Sequence, residues 1–98
     1  MHAVINNLRF TDSVDRDLFA GVEHDLAHRM RAIAGFKSFH IVQVADDHVV
    51  LVVVGDDAAV LDRLATEVGS PWMSANVAPL LAVPPDRSVG PVIASIGL

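Results

Sequence analysis

Residues 36–54 read Phe36-Lys37-Ser38-Phe39-His40-Ile41-Val42-Gln43-Val44, then Ala45-Asp46-Asp47-His48, then Val49-Val50-Leu51-Val52-Val53-Val54. Two β-branched and aromatic runs joined by a short acidic turn predict a hairpin. Its second arm is apolar at every position, so both faces of that strand need cover from water. A two- or four-residue loop at Asp46-Asp47 gives the same side-chain parity. Carried through the turn without interruption, that parity puts Phe36, Ser38, His40, Val42, Val44, Val49, Leu51 and Val53 on one face. Phe39, Ile41, Gln43, Val50, Val52 and Val54 then share the other. Neither row is polar enough to face solvent, and an uncovered face of this kind forfeits several kcal/mol at roughly 25 cal/mol per Å². A homodimer, sheet face against sheet face, is the expected remedy.

The flanking sequence supplies the rest of one domain over residues 1–98. Ala3–Phe10 reads as a strand, ended by the cap-forming Thr11-Asp12-Ser13. From Val14 to Ala34 the apolar residues Val14, Leu18, Phe19, Val22, Leu26, Met30 and Ile33 recur at helical spacing, and Gly35 is placed to stop the helix. After the hairpin, Gly55-Asp56-Asp57 offers an N-cap for a helix with the stripe Val60, Leu61, Leu64, Ala65 and Val68, closed by Gly69. Ser70-Pro71 predicts a fresh start for a short helix through Trp72, Met73, Asn76 and Val77, disturbed at Pro79. Pro84-Pro85-Asp86-Arg87 reads as a turn or linker, and Val89–Ile96 as a last strand, with Pro91 marking an edge position. This order predicts an α+β, ferredoxin-like antiparallel sheet with helices on one face.

Composition narrows the partners. Of 98 residues, 52% are hydrophobic, and 7 Lys+Arg stand against 12 Asp+Glu for a formal charge of −5, the wrong sign for nucleic acid or an anionic membrane. The absence of cysteine excludes thiolate chemistry and Cys-ligated metal centres. Val49–Val54 is far too short to span a bilayer, and no secretory signal is visible, so a cytoplasmic protein is expected.

With these elements in place, the chain resembles the antibiotic biosynthesis monooxygenase-like family of the dimeric α+β barrel superfamily. The resemblance rests on the element order, on Val4-Ile5-Asn6, on Gly35-Phe36 with Phe39, on the valine-rich third strand, on Gly55-Asp56-Asp57 and on Ser70-Pro71-Trp72. It implies two subunits whose sheets form a barrel, each with a cavity between sheet and helices, and oxidation or binding of a small hydrophobic aromatic ligand without cofactor. The haem-degrading branch uses a first-strand asparagine, matched by Asn6, a tryptophan, matched by Trp72, and an iron-ligating histidine. No histidine follows His48, so haem degradation is disfavoured. The quinone-forming branch relies on further polar and aromatic pocket residues, and this chain has no tyrosine.

The candidate residues follow from these patterns. His40, among valines, is a candidate proton acceptor, and Asn6, an amide in an otherwise apolar row, a candidate for orienting a ligand; both are catalytic candidates. Trp72, Ser38 and Phe36 are candidate substrate contacts. Each has a structural alternative: a satisfied histidine, a loop hydrogen bond, or simple packing. His24 and His28 have metal-ligand spacing but fall on the solvated side of their helix, with no third ligand, so no metal is expected. The competing reading is a non-catalytic ligand-binding or dimerisation module on the same fold, its interior filled by its own side chains. An amino-acid-binding domain of this topology would want glycines in Arg9–Ser13, and an RNA-binding one a basic face with aromatics; neither is present.

Overall fold

The computed structural model describes residues 1–97, with every side chain but that of Glu23. Four strands, β1 (His2–Arg9), β2 (Phe36–Ala45), β3 (His48–Gly55) and β4 (Asp86–Pro91), form one antiparallel sheet in the order β2-β3-β1-β4. The helices cover one face of it: α1 (Asp17–Ala20), α2 (Val22–Asp25) and α3 (Ala27–Arg31) before the hairpin, α4 (Ala58–Leu64) and α5 (Ser70–Asn76) after it. This is the ferredoxin-like plan the sequence predicts.

The helix expected over Val14–Ala34 is interrupted at Gly21 and Leu26, yet it remains one bent path. Each linking residue is bonded on both sides: Gly21 N–H donates to Phe19 O and Gly21 O accepts from Asp25 N–H at 2.8 Å, while Leu26 N–H donates to Val22 O at 2.8 Å and Leu26 O accepts from Met30 N–H at 2.9 Å. The bend keeps Val22, Leu26, Met30 and Ile33 buried against Leu61, Leu64 and Val68 of the second helical stretch. Gly35 ends the path at φ +91°, where a Cβ would stand 2.7 Å from Val60 Cγ2, so only glycine fits. Asp57 caps α4 as expected, its side chain accepting from Val60 N–H at 2.9 Å.

Gly69 does not close the second helix. The chain passes from α4 into α5 through a π-helical turn, Ala65–Gly69, in which Ser70 N–H donates to Ala65 O. Pro71 is the physical reason. Its ring would clash with the carbonyl four residues back and it has no N–H to offer that carbonyl, so the widened turn accommodates it. The carbonyl concerned, that of Glu67, accepts instead from the Arg29 guanidinium at 3.1 Å. Ser70 is therefore helical and makes no side-chain cap. Pro79 sits in a 3₁₀ turn, Ala78–Leu80.

The last strand lies earlier than Val89–Ile96. β4 pairs with β1 from Asn7↔Asp86 to His2↔Pro91, so β1 sets its length, and beyond Pro91 only a bond from Val92 N–H to Met1 O at 2.9 Å continues the edge. Ile93 and Ile96 are consequently almost wholly exposed.

The parity expected through the hairpin is also corrected. Ala45↔His48 closes the two-residue turn, but Gln43 pairs with Val49, leaving Val44 as an extra bulged residue. A second irregularity separates Phe36↔Gly55 from Ser38↔Val54 at Lys37. Between the two, Phe39, Ile41 and Gln43 share the helix-covered face with Val53, Leu51 and Val49, while Ser38, His40 and Val42 share the open face with Val54, Val52 and Val50. The uninterrupted phase would have buried an imidazole and a hydroxyl and exposed Phe39 and Ile41. The bulge at Val44 costs less than that exchange.

Candidate functional site

The helix-covered face holds the first-strand row Val4, Asn6 and Leu8, opposite Val53, Leu51 and Val49 of β3. Val4, Leu8, Val49 and Leu51 are buried in the core. Asn6 breaks that apolar row as its alternation predicts, and its Oδ1 is buried without a hydrogen-bond partner. An unmade bond on a buried acceptor carries a cost of about 1–3 kcal/mol, and such a group calls for a reason.

That reason lies beside it. A cavity of about 130 Å³ opens between the sheet and the second helical stretch, lined by Asn6, Leu51, Phe39, Val68, Trp72, Met73 and Arg87 among others. The π turn forms part of its wall through Ala65, Val68 and Gly69, so the distortion required by Pro71 also shapes the cavity. Trp72 is held at its edge by Phe19, ring centroids 6.0 Å apart and tilted by 45°, and Phe19 in turn meets Phe10 edge-on at 6.4 Å. Asn76 Nδ2 donates to Trp72 O at 3.0 Å, fixing the last turn of α5.

Arg87 was not a candidate in the sequence, where it sits in what reads as a linker. Its signal is the extension of β4 back to Asp86, which sets Arg87 directly across from Asn6. Its guanidinium stands 3.8 Å from Asp62 Oδ1, an ion pair on a largely exposed carboxylate and too long for a hydrogen bond. The cavity therefore joins an acceptor that lacks a donor to a cation whose ion pair with Asp62 is not closed by a hydrogen bond.

The structure brings Asn6 and Trp72 together and sets the other candidates apart. His40 and Ser38 project from the open face, with His40 exposed, so a sheet lies between them and the cavity. Phe36 faces the helices and packs against the core near Val60 rather than lining the cavity. His24 and His28 are both exposed.

The open face of the sheet is also largely apolar. Its centre is Ile5, Val50, Val52, Val54 and Ala3, continued on β2 by Val42. One end is polar: His48 Nε2 lies 2.9 Å from Asn7 Oδ1, and the Arg9 guanidinium donates to His48 Nδ1 at 3.3 Å. Because guanidinium only donates, Nδ1 is the acceptor and Nε2–H the donor, which fixes the tautomer. Among the described residues, no helix is long and apolar enough to cross a membrane.

Neither a protein-family model nor a curated protein sequence matches the chain. Solved structures do match. The chain superposes on the ActVA-Orf6 monooxygenase of Streptomyces coelicolor, solved in complex with nanaomycin D, at a TM-score of 0.69 and 15% identity, over 99% of this chain and 93% of that one. SnoaB of Streptomyces nogalater, a cofactor-independent oxygenase, gives 0.70 and 15% over 97% and 95%. NE2512 of Nitrosomonas europaea, of unknown function, gives 0.71 and 17% over 99% and 93%. The chain has the antibiotic biosynthesis monooxygenase-like fold. The likeness extends over nearly the full length of both chains, so the strands and helices around the cavity lie within the matched fold.

Proposed function

We propose that this monooxygenase-like protein works as a homodimer, open sheet face against open sheet face, and that each subunit takes a small hydrophobic aromatic ligand into the cavity beside Asn6 and Trp72. The observation that carries the ligand reading is the buried, unpartnered Asn6 Oδ1 at an apolar cavity. Such a site excludes water from a bound ring and orients it by a few polar contacts. Oxidation of an electron-rich ring by dioxygen, a hydroquinone giving up two electrons and two protons to leave a quinone and hydrogen peroxide, then draws on desolvation and positioning. In this reading Asn6 orients the ring, Trp72 stacks against it, and His40 and Ser38 belong to the dimer face. The dimer reading rests on the apolar centre of the open face, where Ile5 and Val42 each remain 46% exposed.

A second reading, binding without turnover, has its own support: among the described residues, no histidine or carboxylate lines the cavity. General acid–base work would fall to the ligand itself. Oxygen uptake on addition of 1,4-hydroquinone, corrected for autoxidation, separates the two. Catalysis predicts uptake by the wild type and its loss in Asn6→Ala while light scattering still reports a dimer. Equal uptake in both proteins removes Asn6 from the chemistry, and no uptake above autoxidation leaves the binding reading.

A further inference from the structure

The dimensions and polarity of the cavity define its ligand more narrowly than "aromatic", and this inference rests on the pocket reading above. An apolar protein cavity of about 150 Å³ holds a single benzene, whereas pockets for multi-ring, drug-sized ligands run to about 300–1,000 Å³. At about 130 Å³ the interior of this cavity matches one ring, and a fused tricycle would extend out past Arg87. Its walls are aliphatic and aromatic, with Trp72 offering a face for stacking. Its polar lining residues are Ser70, which is exposed, Asn6, whose buried Oδ1 has no donor, and Arg87, whose guanidinium makes a 3.8 Å ion pair with Asp62.

Asn6 and Arg87 are direct cross-strand partners on one face, so their Cβ atoms lie about 4.5–5.5 Å apart. Arg87 has the longer side chain, which carries its charge away from Asn6. A ligand satisfying both presents a hydroxyl donor and an anion at different positions of the same small ring. We propose that the cavity takes a single-ring phenolic acid: rotation of the Asn6 amide brings Oδ1 to the cavity wall to accept from the hydroxyl, the carboxylate pairs with the Arg87 guanidinium in competition with Asp62, and the ring lies among Phe39, Leu51, Val68 and Trp72. The carboxylate suits a planar guanidinium, which binds it through two parallel hydrogen bonds. The hydroxyl removes the unmade bond at Asn6.

Trp72 is the only tryptophan of the chain, so its indole N–H cross-peak in a ¹H–¹⁵N spectrum reports occupancy without ambiguity. The probe is 3-hydroxybenzoate, whose two polar groups cannot bond to one another. Titration should shift the Trp72 signal saturably, with benzoate and phenol each binding about tenfold or more weakly, as expected for one lost polar contact. In Arg87→Met, 3-hydroxybenzoate and phenol should bind alike; in Asn6→Leu, 3-hydroxybenzoate and benzoate should. Because Arg87 stands at the cavity rim, its variant tests the assignment even where the Asn6 variant fails to fold. Equal affinity of the wild type for all three single-ring probes overturns the assignment of Asn6 and Arg87. Anthraquinone-2-carboxylate binding as tightly as 3-hydroxybenzoate overturns the single-ring inference and leaves the aromatic pocket standing. Failure of every probe, single-ring and tricyclic alike, to shift Trp72 overturns both.

Discussion

The two faces of the sheet are built from the same strands and almost the same side chains, yet they have opposite fates. On the helix side, Leu8 and Val49 are all but completely buried. On the other side, Ile5 and Val42 remain half exposed although no less hydrophobic. Apolar content therefore does not decide which face becomes the core. Phase decides it, and the phase of β2 depends on where its irregularities fall. The helix side carries an unsatisfied amide at a cavity, and the open side carries its satisfied polar groups, Asn7, Arg9 and His48, at one end. The first arrangement suits a ligand and the second a flat partner.

The sharpest way to break this comparison is to place the same charge on neighbouring residues of β3. Leu51→Asp buries an unpaired carboxylate and should abolish folding, seen as loss of the cooperative thermal transition by circular dichroism. Val52→Asp should leave a folded subunit and convert a micromolar dimer to monomer by light scattering. A Val52→Asp protein that stays dimeric removes the open face from the interface. Next in size, Leu61→Ala, in the core beneath the helices, should cost about 2–5 kcal/mol in urea unfolding, since it leaves a cavity among Val4, Leu26 and Ile33. A cost under 1 kcal/mol would mean that this side is loosely packed. The smallest effect is expected of Asp57→Ala, which removes the side-chain bond to Val60 N–H and should cost about 1 kcal/mol without altering oligomeric state.

The element order, the turn at Asp46-Asp47, the stop at Gly35 and the cap at Asp57 were legible because each depends on local chemistry: a left-handed φ, an acidic turn, a side chain reaching three residues ahead. What was not legible depends on neighbours in space. A bulge leaves no mark in a run of valines, so uninterrupted parity groups Leu51 and Val53 with Ser38 and His40, and Val50 and Val52 with Phe39 and Ile41, where the structure pairs them the other way. The π turn follows from Pro71 locally, but its relief by Arg29 comes from a distant helix. The bounds of β4 follow from β1, and with them the position of Arg87, the residue of the candidate site that sequence patterning hides in a proline-rich segment. Asn6 was legible because a single amide in an apolar row is a local anomaly.

The irregularities at Lys37 and Val44 also bear on how this chain tolerates length change. In an ordinary strand, losing one residue turns every following side chain to the opposite side, and selection removes the change. Here the two residues stand outside the pairing. Without them, Phe36, Phe39, Ile41 and Gln43 fall into plain alternation on the helix side. Single-residue gaps in alignments of related chains belong at these two positions, and placing a gap elsewhere between Phe36 and Ala45 would misassign which side chains face the helices and which face the open side of the sheet.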